Sequence, residues 1–317
     1  MAPPVSNTAA TAATVAPWSR QAPTDALGVR GRALAAFAAT YLIWGSTYLA
    51  IRYGVATIPP YLMTGVRCLV AGGALYAWSA WRGEPRPARR AWGAALGVGS
   101  LLFVVGQGVL SWAETRVASG PAALLIATIP LWMVLLAWWR PGGAAPTPRV
   151  WAGIGVGLVG VLALMGPGAG SAVDPLGGAA ILLAALSWSV GSVWARGRVL
   201  PASRTQSAGM QLLMAGAVLV GLSLALGETS AFSLGEVSAR SVLALGYLIV
   251  FGSIVAFSAY LWLLDHSTPA RVGSHAYVNP LIAVLLGASA GDGALTGWVV
   301  VSATAVVAAV MLTLEEI

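Results

Sequence analysis

Ten long apolar runs, separated by short polar links, constrain this chain more than any other feature of its sequence. They are Ala33–Val55, Leu62–Trp81, Ala91–Ala113, Ala118–Trp139, Val150–Gly166, Gly177–Gly197, Ser207–Leu226, Val242–Leu264, Pro269–Ala290 and Thr296–Leu314. A helix needs about 17–25 mainly apolar residues to cross the hydrocarbon core of a bilayer, and a chain in lipid must satisfy its own backbone hydrogen bonds. The pattern therefore predicts an all-α integral membrane protein with ten transmembrane helices.

The scarcity of charge excludes other classes of protein. Only 9% of the 317 residues are charged and 58% are hydrophobic, whereas roughly a quarter of the residues in soluble domains are charged. Residues 1–32 are different, because they are rich in Ala, Pro, Ser and Thr and contain no apolar run. They lack the basic start and apolar core of a secretory signal, so we predict a disordered cytoplasmic tail.

The distribution of arginine predicts the orientation. With a cytoplasmic N-terminus, 13 arginines fall in cytoplasmic segments, three (Arg52, Arg116 and Arg240) fall on the other side, and Arg67 lies inside a run. Cytoplasmic loops of membrane proteins carry such an excess of basic residues, so both termini are predicted to be cytoplasmic. The net charge of +7 then reports orientation in the lipid bilayer, and no nucleic-acid partner is expected.

The two halves of the chain resemble each other. An offset of 144 residues superimposes the first two runs on the sixth and seventh, and an offset of 150 superimposes the third and fourth on the eighth and ninth. The matched pairs include Trp44 with Trp188, Trp112 with Trp262, and Pro130 with Pro280. We therefore predict two repeats, 33–166 and 175–314. Because each has five spans, the second is inverted relative to the first, as in secondary transporters.

Several motifs resemble those of a known family. They are YLIWGSTYLAIR at 41–52, GVRCLVAG at 65–72, FGSIVAFSAYL at 251–261 and AYVNPL at 276–281. These segments are similar to the drug/metabolite transporter superfamily, EamA branch. The resemblance implies a ten-helix carrier of the bacterial inner membrane, often an exporter of amino acids, other metabolites or drugs. That family usually has Gly-Glu after its fourth and ninth helices, where this chain has Arg140-Pro-Gly and Gly291-Asp292.

Aromatic and polar side chains within the runs are the candidates for a substrate path. Tyr41, Trp44 and Tyr48 share one helical face. The other candidates are Phe103, Gln107, Trp188, Ser192, Ser253, Phe257, Tyr260, His275 and Asn279. Polar atoms inside a membrane are costly unless they face the protein interior or a wet cavity. We therefore predict an aromatic-walled cavity for a partly apolar solute, although the same residues also suit plain helix packing.

Four further residues carry separate predictions. Pro130 and Pro280 each remove a backbone donor and predict a kink, either as part of a gate or as a static bend. Arg67 is a candidate for an anion-binding or a structural role. His275 titrates near neutral pH and is a candidate for proton coupling, because no Asp or Glu lies deep in any run.

Together these observations predict a secondary transporter that exports amino acids or similar small metabolites by alternating access. A proton or solute gradient would drive it, and no cofactor or metal is expected. An uptake permease or exchanger is the alternative within transport. An intramembrane serine enzyme is the alternative from another class, with Ser46, Ser274 or Ser289 beside His275; we do not expect the chain to be an enzyme.

Overall fold

A computed structural model of the chain describes residues 26–139, 145–165, 173–195, 200–201, 203–230, 232–266 and 275–314. Within these ranges every regular element is helical and none is a β-strand, which confirms the all-α prediction. Residues 1–25 of the predicted tail lie outside the described residues, whereas residues 26–32 already belong to the first helix.

The helices are numbered here in chain order. They are α1 (Ala26–Gly54), α2 (Pro60–Trp81), α3 (Arg89–Ala113), α4 (119–138, in the segments Ser119–Ile126 and Ile129–Trp138), α5 (Pro148–Met165), α6 (Pro175–Ala195), α7 (Arg204–Ala225), α8 (239–266), α9 (His275–Ser289) and α10 (Gly297–Leu314). A short 3₁₀ turn, Leu234–Glu236, precedes α8. Each of these described helices overlaps one of the apolar runs of the sequence.

Six of the described helices are long and apolar enough to cross a membrane, namely α1, α3, α4, α6, α7 and α8, and the shorter apolar helices lie in α5, α9 and α10. Helix α2 has 22 residues but belongs to neither group, because Arg67 and several glycine and aromatic residues lower its mean hydropathy. These helices are those of a multi-pass membrane protein.

Helices α2 and α7 approach each other so closely that only glycine fits at their contact. A Cβ atom on Gly72 would lie 2.7 Å from the backbone nitrogen of Leu213, and one on Gly216 would lie 2.8 Å from the backbone nitrogen of Leu69. The second contact is the first with the two halves exchanged, because both pairs of positions differ by 144 residues. Small residues at helix contacts are a common device of membrane proteins.

The same two helices also end in the same way. Gly83 follows α2 with a φ of +75°, and Gly227 follows α7 with a φ of +73°. The residue after each glycine donates its N–H to the carbonyl five positions back, at 3.2 Å and 3.0 Å. Both ends are therefore Schellman caps, in which glycine tolerates the left-handed backbone.

The pairing of helices between the halves follows one rule. Helix α2 pairs with α7, α5 with α10 and α4 with α9, while α1 lies against α8 and α9 and α6 lies against α3 and α4. The five helices of the first half, α1 to α5, are equivalent to α6 to α10 of the second half. When each helix is replaced by its equivalent, every one of these contacts becomes either itself or another of the same set. This isologous arrangement is the pattern that a two-fold axis produces.

Two equivalent helices are wound as π-helix in their middle. These segments are Ser100–Gly108 in α3 and Leu248–Val255 in α8. Such π-helical turns are rare and are often found at functional sites. No sequence pattern used above predicted them, because the residues involved are ordinary apolar residues and glycine.

The two prolines predicted to bend their helices have different surroundings. Helix α4 is interrupted at Ala127 and Thr128, so Pro130 lies in the first turn of the second segment, where its missing N–H is not needed. Pro280 lies inside α9, which continues through it. A break of the helix therefore accompanies Pro130, and Pro280 is accommodated without one.

Candidate functional site

Six rings from five helices form a connected cluster where the two halves meet. This aromatic cluster consists of Trp44 (α1), Phe103 (α3), Trp188 (α6), Phe257 and Tyr260 (α8), and His275 (α9). The centroid distances are 5.8 Å for Trp188–Phe103, 6.4 Å for Phe103–Phe257, 6.3 Å for Phe257–Tyr260, 5.1 Å for Tyr260–Trp44, 5.3 Å for Trp44–His275 and 5.8 Å for Tyr260–His275. Six of the predicted candidates thus lie in one cluster, in which Phe257 joins Phe103 to Tyr260.

The two tryptophans of the cluster have equivalent environments. The indole Nε1 of Trp44 donates a hydrogen bond to the carbonyl of Gly252 at 3.2 Å, in the π-helical segment of α8. Trp188 packs on the π-helical segment of α3, where a Cβ atom on Gly106 would lie 3.2 Å from the indole Cε3. Each indole therefore lies against the π-helical segment of the other half.

Asn279 joins α9 to α1 beside this cluster. It is 6% exposed. With its amide nitrogen turned toward them, it donates to the carbonyls of His275 and Tyr41, both at 3.3 Å. The Tyr41 ring lies 5.7 Å from that of Phe37. These contacts place Tyr41 and Asn279 at the edge of the aromatic cluster.

Three other predicted residues are not part of the cluster. Tyr48 packs against the hydrophobic core that contains Leu110. The Ser192 hydroxyl donates to the carbonyl of Trp188 at 2.8 Å, within its own helix, and is thereby satisfied without a ligand. Gln107 is half-buried in the π-helical segment of α3.

Arg67 lies inside the protein and connects the halves. Its side chain is 9% exposed, and Nε donates to the Ser253 hydroxyl of α8 at 2.8 Å. Its Nη1 has no hydrogen-bond partner in the described part of the chain. Ser253, which accepts the hydrogen bond from Arg67, is therefore the residue next to Gly252, whose carbonyl accepts from Trp44.

A polar cluster that sequence analysis did not assemble lies at one end of the bundle. We call Arg52, Glu114, Ser119 and Asp292 the gate cluster. Arg52 Nε donates to Asp292 Oδ1 at 3.0 Å, and its Nη1 donates to the Glu114 carbonyl. Asp292 Oδ2 accepts from the Ser119 N–H at 2.9 Å. The ends of α1, α3, α4 and α9 are therefore joined, beside a cavity of about 420 Å³ lined by Arg52, Asp292 and Arg116.

Glu114 is the member of this cluster with the least ordinary environment. Its side chain is fully buried, and neither carboxyl oxygen has a hydrogen-bond partner within the described residues. Glu114 lies in the turn after α3, where burial and the charge of Asp292 raise its pKa well above the usual range, while Arg52 and Arg67 act in the opposite direction. The third apolar run of the sequence ends at Ala113, so the sequence pattern assigns Glu114 to a loop. A carboxylate one position beyond a run, with Arg52 on the same side, is the signal that could have found it.

Comparison with known proteins identifies the family. The model of the EamA-like transporter family matches residues 31–166 and again residues 175–315. The chain belongs to the EamA-like transporter family. The predicted membership is thus confirmed, and this chain contains two copies of the unit that defines the family.

Individual proteins similar to this chain include other transporters. The inner membrane transporter YedA of Escherichia coli K12, named as uncharacterized, is 40% identical over 259 residues, which cover 81% of this chain and 82% of YedA. An uncharacterized transporter of Synechocystis is 24% identical over 270 residues, 78% of each protein. A crystal structure with 23% identity has a TM-score of 0.61 and covers 89% of this chain and 97% of its own, and thus has the same fold.

Proposed function

We propose that this EamA-like protein is a secondary transporter that exports amino acids or similar small, partly apolar metabolites by alternating access. The observation that carries the proposal is the aromatic cluster at the contact between two matched halves. Rings, an amide and backbone carbonyls suit a solute with both an apolar part and hydrogen-bonding groups. No Asp or Glu belongs to the cluster, so recognition relies on these neutral groups.

The pairing of helices supports an inverted-repeat mechanism. If each half crosses the membrane five times, as proposed, the two-fold axis lies in the membrane plane. Exchange of conformation between the halves then converts an outward-open state into an inward-open state of similar energy. The contacts of α1 with α8 and α9, matched by those of α6 with α3 and α4, are the ones that would exchange.

The arginine distribution supports cytoplasmic termini, and the name of the E. coli relative supports the inner membrane. In this orientation the ends of α1, α3 and α9 face the outside. The gate cluster would then close the outer side by pairing Arg52 with Asp292. Opening to the outside requires this pair to separate.

The environments of the candidate serines do not favour the enzyme alternative. Ser46 Oγ bonds the Tyr247 hydroxyl at 2.6 Å, and Ser289 Oγ donates to the Leu286 carbonyl at 2.8 Å. Ser274 lies outside the described residues. A serine nucleophile needs its hydroxyl bonded to a base, so the described serines do not form the required pair with His275.

Flux measurements on purified protein in liposomes test the proposal. A panel of labelled amino acids and related metabolites is offered with and without a pH gradient, in both directions. We expect saturable flux of a partly apolar member, and its preferred direction decides between export and uptake. Absence of flux for the whole panel, together with hydrolysis of a membrane substrate, would overturn the transport assignment.

Alanine substitutions of the two tryptophans test the site. We expect Trp44→Ala and Trp188→Ala to reduce kcat/KM by at least about tenfold, because each indole fixes one wall of the cluster; tenfold corresponds to about 1.4 kcal/mol. Trp298→Ala is the matched control, since Trp298 is 47% exposed on α10 and should leave flux unchanged. Native flux in both cluster variants would remove the aromatic cluster from the substrate path.

A further inference from the structure

Glu114 is buried behind the Arg52–Asp292 pair without a partner for its carboxyl group. Arg52 is the nearest guanidinium on α1, yet it donates to Asp292 and to the backbone carbonyl of Glu114, and the carboxyl group receives no hydrogen bond from it. A carboxylate that is buried in this way is strongly disfavoured, whereas the neutral acid is tolerated. With the pair closed, the geometry favours a protonated Glu114.

The ionisable groups around Glu114 come from several elements of the bundle. They are Tyr48 and Arg52 on α1, Arg67 on α2, Asp292 after α9, and Arg116 in the same turn. Tyr61 on α2 lies beside Gly108 of α3, and it faces Glu228. Helix α6 carries no ionisable side chain, and Asp174 before it pairs with Arg116 at 4.0 Å.

Separation of Arg52 from Asp292 changes this balance in one direction. It removes the negative charge of Asp292 from the vicinity of Glu114 and leaves the Arg52 guanidinium available to the carboxyl group. It also connects Glu114 to the cavity of about 420 Å³ that Arg52 and Asp292 line. Water and a free guanidinium both favour the ionised acid.

We propose that Glu114 is a proton-binding site linked to the gate cluster, which binds a proton when Arg52 and Asp292 pair and releases it when they separate. This inference rests on the proposed transport function, because it gives the outer gate of the carrier a proton as its ligand. By linkage, a proton that binds the closed state more tightly also stabilises the closed state. Low external pH therefore favours closure, and the gate opens as the pH rises.

Accessibility of an introduced cysteine measures the gate without any cargo. Ala288 lines the cavity beside the gate cluster, so Ala288→Cys in a Cys68→Ser background is treated with a membrane-impermeant thiol reagent at several external pH values. Ser233→Cys, at an exposed position before the 3₁₀ turn, gives the intrinsic pH dependence of the thiol reaction. We expect the normalised labelling of Ala288→Cys to rise several-fold as the external pH is raised from acidic to alkaline, because ionisation of Glu114 favours the open gate.

Variants of Glu114 assign that dependence to its carboxyl group. Glu114→Gln resembles the neutral acid, so labelling should stay low at every pH, whereas Glu114→Asp should restore a pH-dependent rise. Asp174→Asn is the matched control in a neighbouring ion pair and should retain the native profile. A native profile in Glu114→Gln overturns the assignment, as does labelling of the parent protein that does not change with pH.

The two proposals fail in different ways. Labelling needs no substrate, so a pH-independent gate together with saturable flux rejects the Glu114 site and leaves the transport function intact. A pH-dependent gate together with no flux for any solute rejects the transport function, although Glu114 still controls the opening of this end of the bundle.

Discussion

Three buried side chains, Arg67, Glu114 and Asn279, show how single polar residues are accommodated in this largely apolar protein. Asn279 has two carbonyl acceptors, Arg67 has one hydroxyl partner and one unpartnered nitrogen, and Glu114 has none for its carboxyl group. Burial of a polar group is favourable only to the extent that its hydrogen bonds are satisfied. Asn279 therefore has a structural role, Arg67 is partly satisfied, and Glu114 is the functional candidate.

At this scale we predict that Ser253→Ala lowers stability. It removes the acceptor of Arg67 Nε and leaves more of a buried guanidinium unpartnered, which costs about 1–3 kcal/mol. Thermal unfolding in detergent measures the change. In the Arg67→Met background the same serine substitution should cost much less, and an equal cost in both backgrounds would show that the Arg67–Ser253 bond contributes nothing.

At the scale of helices, glycine allows a close contact between α2 and α7. We predict that Gly72→Ala destabilises the protein by about 1–3 kcal/mol, because the new methyl group overlaps the backbone of α7. Gly73→Ala is the matched control, since nothing lies within 4 Å of a Cβ there and alanine is the better helix former. Unfolding measurements that give both variants the same stability would contradict the close contact.

Helices were predictable from sequence, and the polar contacts between their ends were not. The apolar runs predicted helices because their length and composition leave few alternatives in lipid, and the repeated tryptophans located two equivalent faces. Arg52 and Asp292, by contrast, are 240 positions apart, and no local pattern links them. The burial of Glu114 likewise depends on four helix ends meeting around one turn. Part of the aromatic cluster could thus be predicted, and the gate cluster could not.

For the whole molecule, the proposed alternating access depends on an exchange of contacts between the two halves. The proposed axis relates α1 to α6 and α4 to α9, so the outer gate formed by the ends of α1 and α9 has an inner counterpart at the ends of α6 and α4. Opening of one gate should accompany closing of the other, because α4 of the inner gate packs against α9 of the outer gate.

Paired distance measurements between spin labels test whether the two gates open and close in alternation. One pair, Ala56→Cys and Ala290→Cys, spans the outer ends of α1 and α9, and the other, Trp139→Cys and Ala195→Cys, spans the equivalent ends of α4 and α6, each in a Cys68→Ser background. Both are measured across external pH and with saturating transported solute. We expect the outer distance to lengthen as the inner one shortens, and both changes to reverse together. Two distances that change in the same direction, or that do not change under any of these conditions, would contradict alternating access between the two halves.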